Sequence, residues 1–300
     1  SRGASYTHFL PSLNLSFELP ANQFVRFGAS RQMARPRMDD LRANAGFSIN
    51  RTRDIWTGGG GNPELKPWIA NAYDLSWELY FGESKGYVSA AYFFKDLKTY
   101  IYNQVTQFDF SQLPVPPNVL PGDIPPSPIG EYTQPVNGDG GTIKGYELAV
   151  SLPFEVLWAP LEGFGLQANL SDTKSGISPN GPGSTEPLPG LSKYVSNITA
   201  YYDRYGFSAR VAQRHRSEFV GEVQGFGGDR TKIAFNGETV TDVQLGYTLQ
   251  SGMMKDLSFL LQVNNLENEP FSSSYDGLSD RPRQYFEYGR TYLFGVNYRF

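Results

Sequence analysis

No cysteine occurs among the 300 residues, which excludes a disulfide framework and any thiolate metal site. Long apolar runs are missing as well. No stretch approaches the ~18 consecutive apolar residues of a membrane-spanning helix, and mean hydropathy is −0.41. A membrane location stays open, because a barrel strand needs only about 9–11 residues that alternate apolar with polar. Positive charge is not in excess: 26 Lys and Arg stand against 30 Asp and Glu, so nucleic acid is not an expected partner. Histidine is scarce, with His8 and His215 far apart in sequence. A His-based hydrolase would need a nucleophile and an orienting acid beside one of them, and no such set stands out. No export signal is visible at Ser1 to Leu10, so an exported protein would be represented here by a mature chain or a fragment.

What is present is aromatic and turn-forming. The 19 Tyr and 21 Phe favour strands, and the 32 Gly and 21 Pro favour turns and loops, so the fold class is all-β. Period-2 alternation picks out about eleven strand segments. Leu13, Leu15, Phe17 and Leu19 alternate with Asn14, Ser16 and Glu18; Tyr73, Leu75, Trp77 and Leu79 alternate with Asp74, Ser76 and Glu78. Similar patterns begin near Val25, Gly145, Phe164, Phe207, Asp242, Leu257 and Thr291, while the strand-like segments at Tyr87 to Tyr102 and near Tyr194 to Tyr202 alternate poorly.

Short links at Pro20 to Asn22, Gly82 to Gly86, Asp203 to Gly206 and Ser251 to Asp256 are interleaved with long ones. The long links run Pro36 to Pro67, Asn103 to Gly141, Ser175 to Pro189, Gly221 to Gly237 and Phe271 to Pro282. An antiparallel transmembrane β-barrel sorts its connections this way, with short periplasmic turns and long extracellular loops. Single-chain bacterial barrels usually have even strand counts, so about eleven strands suggest a missed strand or a missing N-terminal portion.

Three stretches carry a resemblance. Gly61-Asn62-Pro63-Glu64-Leu65-Lys66-Pro67, followed by Ala70 to Leu75, resembles the start of a barrel strand in TonB-dependent outer-membrane receptors. Leu10 to Leu15, continuing to Arg31 to Pro36, is similar to a strand pair of the same family, most like its Caulobacter and Xanthomonas branch. Val263-Asn264-Asn265-Leu266 through Tyr298-Arg299-Phe300 resembles the family's ending, with Tyr298 and Phe300 as the signal read by the barrel-assembly machinery. Trp68 departs from the family, which often has an acidic residue there. The resemblance implies a 22-stranded barrel of which residues 1–300 form the C-terminal portion, with the N-terminal plug domain and first strands absent from this chain. Implied partners are that plug and barrel half, the TonB-ExbB-ExbD complex acting through the plug, outer-membrane lipid and a small-molecule substrate. The implied location is the cell outer membrane.

The candidate site residues follow from this frame. Trp77, Tyr92, Tyr202 and Tyr292 sit at strand ends and read as interfacial girdle. Trp56, Trp68, Tyr132 and Tyr275 lie in or beside long loops, where an aromatic face can stack on a sugar ring or a chelate. His215 and Arg216, near the outer end of a strand, are further ligand-binding candidates, with a polar barrel rim as the plain reading. Glu18, Arg26, Asp74, Glu78, Glu147, Arg210, Arg214 and Asp242 are expected to face the polar lumen and mostly to meet the plug. Gly58 to Gly61 reads as a loop hinge, and the Pro-rich stretch Leu113 to Pro128 as a surface loop that closes over ligand. The leading function is active uptake of an oligosaccharide or related plant-derived compound, suggested by branch resemblance and loop aromatics. A ferric siderophore is the alternative. Haem is disfavoured because no loop histidine is seen to serve as axial ligand. A passive porin would lack the plug, and a membrane enzyme would need an acid–base set near His215. No cofactor, metal or catalytic residue is expected.

Overall fold

A computed structural model describes residues 3–83, 85–115, 121–178, 187–224 and 231–298. Its strands in chain order are β1 (Ser12–Leu19), β2 (Gln23–Ala34), β3 (Ala45–Asn50), β4 (Ile55–Gly60), β5 (Trp68–Phe81) and β6 (Gly86–Asp109). There follow β7 (Ile129–Pro153), β8 (Phe164–Ser175), β9 (Tyr194–Arg204), β10 (Phe207–Arg216), β11 (Phe219–Gln224) and β12 (Thr231–Phe235). The last are β13 (Glu238–Thr248), β14 (Leu257–Asn264), β15 (Phe271–Tyr275), β16 (Pro282–Phe286) and β17 (Thr291–Tyr298). Eleven of them hydrogen-bond side by side in an unbroken path, β1-β2-β5-β6-β7-β8-β9-β10-β13-β14-β17. These are the eleven segments that alternation picks out. The sheet is not closed: β1 and β17 are its edges.

The pairing register sorts the two faces. Leu15 lies opposite Phe27, Phe27 opposite Leu75, Leu75 opposite Tyr92, Tyr92 opposite Tyr146, and Val211 opposite Val243. This face exposes large apolar side chains throughout, such as Phe17, Leu75, Leu148, Leu170 and Phe294. In water such a surface would be a liability; against lipid it is the required one. Trp77, Tyr92, Tyr202 and Tyr292 lie on it, as a girdle requires. The opposite face carries Asn14, Ser16, Gln167, Asn169, Asn197 and all eight charges expected in the lumen.

The short links are tight turns. Between β9 and β10 only Tyr205 and Gly206 intervene, with φ of 55° and 77°. A two-residue hairpin with both central residues left-handed matches the twist of its strands. A Cβ on Gly206 would also stand 2.3 Å from the Thr248 carbonyl oxygen, so glycine is needed here twice over.

The long links are more structured than sequence alone implies. β6 and β7 continue as one ladder from Tyr87 opposite Ser151 up to Asp109 opposite Ile129, so much of the Asn103 to Gly141 link is a tall hairpin rather than a loop. The Pro36 to Pro67 link contains the β3–β4 hairpin, whose β4 runs parallel to the tall hairpin with Gly58 opposite Tyr132. The glycine run is therefore not a hinge but a strand. Gly58 lies where a Cβ would meet the Phe110 ring at 3.0 Å, and Gly60 where it would meet the Tyr132 hydroxyl at 2.7 Å, so their bareness allows close packing. At the other side β11, β12, β15 and β16 form a four-stranded sheet that joins two long links into one unit.

Candidate functional site

All the long links leave the wall at the same end. Between the start of the β2–β5 link and the tall β6–β7 hairpin there is a cavity of about 390 Å³. Ala34 at the end of β2 leads into Arg35, Pro36 and Arg37, where Pro36 ends pairing and turns the chain across the cavity. Trp68 opens β5, and its indole packs on the Tyr100 ring at 5.0 Å between centroids. Tyr102 and Asp40 also line it. The Trp68 Nε1–H is buried and has no hydrogen-bond partner among the described residues. Arg35 and Arg37 form no ion pair with another described residue, whereas Arg26, Arg51, Arg53 and Arg204 each do. Two guanidiniums against one carboxylate, beside indole and phenol rings packed at a tilt of 38°, suit an anionic ligand that carries planar groups.

The other loop aromatics lie elsewhere. Trp56 is 5% exposed, stacked on Phe110 at 5.9 Å with 13° between planes, in a cluster with Phe47 and Phe108. Tyr132 packs on Phe108 at 5.4 Å. Both rings thus serve the packing of β3–β4 against the tall hairpin. Tyr275 ends β15, where it pairs with Ile233 of β12, and its backbone N–H donates to the Arg281 carbonyl. The structure therefore brings Trp68 into the cavity and leaves Trp56, Tyr132 and Tyr275 outside its lining.

His215 Nδ1 lies 2.9 Å from the Thr239 hydroxyl. Arg216 is a clamp: its Nε donates to the Ser192 hydroxyl at 2.6 Å, an Nη donates to the Gly190 carbonyl at 3.1 Å, and its guanidinium covers the Phe219 ring at 3.7 Å. Among the described residues, no carboxylate hydrogen-bonds either histidine, and no group of three metal-ligating side chains comes together.

On the polar face Arg26 and Glu78 form a two-pronged pair at 3.2 Å, and Tyr80 donates its hydroxyl to the same carboxylate at 3.1 Å. Arg214 reaches Asp242 at 4.0 Å, and Asp242 accepts the Asn265 N–H. Asp74 lies opposite Gly28, Arg210 opposite Gln244, Glu147 opposite Ala91, and Glu18 opposite Phe24. Tyr298 pairs with Leu257 at the open edge, while Phe300 lies outside the described residues.

Comparison with known proteins decides the family. The description "TonB dependent receptor-like, beta-barrel" matches residues 1–266. The chain belongs to the TonB-dependent receptor β-barrel family. A search of curated proteins gave no match. Among solved structures the barrel is similar to the ferric enterobactin receptor of Pseudomonas aeruginosa, with TM-score 0.68 and 16% identity over 96% of this chain and 40% of that one. It is similar also to the siderophore receptor PirA of P. aeruginosa, with TM-score 0.55 and 18% identity over 96% of this chain and 41% of that one. The siderophore receptor PiuA of Acinetobacter baumannii gives TM-score 0.59 and 14% identity over 96% and 35%. At these identities the likeness concerns the fold. The chain spans about two fifths or less of the length of these receptors.

Within the receptor wall, sequence reading passed over Arg35, Arg37, Tyr100 and Tyr102 as site residues. A signal was present: arginines recur at 31, 35 and 37 where a strand runs out at a proline.

Proposed function

We propose that the chain is part of the wall of a TonB-dependent outer-membrane receptor that takes up a ferric siderophore. The carrying observation is the cavity in which Arg35 and Arg37, without an ion-pair partner among the described residues, line the same wall as the packed Trp68 and Tyr100 rings. A ferric chelate with carboxylate or catecholate arms presents negative charge and planar groups together, whereas a neutral oligosaccharide offers no countercharge for the two exposed guanidiniums. The solved receptors of the same fold are siderophore receptors by name, which supports the same choice. The oligosaccharide reading loses support because Trp56, one of the aromatics behind it, is buried in the loop's own packing.

In this reading the wall closes with further strands of the same receptor, and a plug fills the lumen against the charged face. Arg26–Glu78 and Arg214–Asp242 then become the wall's side of plug contacts, and TonB with ExbB and ExbD acts through that plug. The barrel-assembly machinery reads the end at Tyr298 and Phe300.

The test is binding of a ferric tris-catecholate to the purified full receptor, followed by quenching of tryptophan fluorescence. Arg35→Ala/Arg37→Ala is expected to weaken binding by about tenfold or more, as loss of charge-assisted hydrogen bonds does. A receptor that ignores ferric catecholates and carboxylates but answers to an oligosaccharide would overturn the proposal.

A further inference from the structure

The apolar face of the wall ends in an unusual pair. Lys144 of β7 and Lys174 of β8 are direct cross-strand partners. They lie on the same face as Tyr146, Leu148 and Leu170, since the alternation that turns those residues outward continues to 144 and 174. Like charges directly opposite one another destabilise a sheet. Neither lysine has an ion-pair partner among the described residues.

Their height on the wall is informative. From Phe164 to Lys174, β8 rises about 25 Å across a membrane, at ~3.3 Å per residue and a tilt of about 40°. That matches the ~25 Å apolar band of an outer-membrane barrel. The two ammonium groups therefore sit at the outer edge of the band, where lipid headgroups begin. Tyr146 and Tyr194 are exposed just below them on the same face, and Lys193 places its Nζ 4.5 Å from the Tyr194 ring. Among the described strand residues the acids on this face are Asp172, which lies between the two tyrosines, and Asp96, which is already paired with Lys98. The balance of Lys144, Lys174 and Lys193 over Asp172 is positive.

We propose that Lys144 and Lys174, with Lys193 beside them, bind the phosphate of an anionic lipid headgroup in the outer leaflet. The phosphate bridges the two ammonium groups and removes their repulsion. The acyl chains run down over Leu148 and Leu170, continuous with the lipid-facing surface, and the tyrosines mark the boundary. The inference rests on the wall's membrane placement and not on which nutrient the receptor carries.

Melting of the full receptor in a neutral detergent tests it, with phosphatidylglycerol added, with phosphatidylcholine added, or with neither. Phosphatidylglycerol is expected to raise Tm above the phosphatidylcholine value. Lys144→Gln/Lys174→Gln is expected to raise Tm without lipid, because the repulsion is gone. The same variant should weaken the phosphatidylglycerol response by about tenfold in lipid concentration. Lys174→Gln alone should move both readings the same way by less. Lys255→Gln, on a short turn at the opposite end of the wall, should keep the response of the unaltered receptor. The proposal is overturned if the double variant answers to phosphatidylglycerol as the unaltered receptor does, or if inorganic phosphate alone reproduces the rise.

Discussion

Glu267 does at residue scale what a neighbouring strand would otherwise do. β13 runs past the end of its pairing with β14, so the N–H groups of Thr239 and Thr241 have no ladder partner on that side. Glu267 accepts from Thr241 at 3.2 Å and Glu269 from Thr239 at 3.4 Å, while Leu266 returns its N–H to the Thr241 carbonyl at 2.8 Å. Hydrogen bonding from Thr241 holds the Glu267 carboxyl below its ordinary range, outweighing the opposing effect of desolvation. A depressed carboxylate contributes stability that is present above its unfolded pKa, about 4.3, and lost as pH falls through the folded value. Hydrogen exchange at the Thr241 amide should therefore be slow at neutral pH and quicken, relative to intrinsic rates, as the solution is acidified below about pH 4.3. Glu267→Gln should abolish that acid-dependent change while leaving the wall's melting intact. Identical pH dependence in the two proteins would show that the carboxylate is not the cap.

At the scale of elements, the β3–β4 hairpin is held to the tall β6–β7 hairpin by one aromatic cluster and a short parallel ladder. Phe110 is 2% exposed and touches Phe47, Trp56 and Phe108, so it is the keystone of the contact. Arg53 adds a two-pronged bond to Glu131 at 2.6 and 2.9 Å. Phe110→Ala should cost about 3–5 kcal/mol of local stability. The expected readout is faster cleavage of the 51–54 turn by added protease, with the wall still protected; unchanged cleavage would mean the hairpin is held by its backbone ladder alone. This is also where reading the sequence reached its limit. The wall strands are legible because one face meets lipid and the other a polar interior, which writes period 2 into the residues. β3, β4 and the upper parts of β6 and β7 have no such two-phase surroundings, so Tyr100 to Phe108 shows β-forming residue types but no clean alternation. Trp68 could be singled out by its place beside a long loop. Trp56 could be singled out in the same way, and only packing tells the cavity ring from the buried one. The arginines at 35 and 37 acquire meaning only when the tall hairpin stands opposite them.

At the scale of the molecule, the eleven-strand path cannot close on itself by antiparallel pairing. Every neighbouring pair in it is antiparallel, from β1–β2 through β14–β17, so β1 and β17 run in the same direction. Joining them directly would force a single parallel seam, whereas an odd number of further strands closes the barrel in the ordinary way. Left open in lipid, the two edges would expose rows of unpaired N–H and C=O groups, each costing several kcal/mol in hydrocarbon. Residues 1–300 produced alone and refolded into lipid vesicles should therefore pair edge to edge between copies, giving dimers or larger species on crosslinking. The full receptor should give a single monomeric barrel whose mobility in gel electrophoresis changes on heating. The absence of cysteine makes the geometry directly testable, because Val296→Cys on β17 and a single cysteine on a candidate neighbouring strand can form a disulfide only if those strands are adjacent. A monomeric, heat-modifiable barrel from residues 1–300 alone would mean that the wall closes through a parallel β1–β17 seam, and the larger barrel would have to be abandoned.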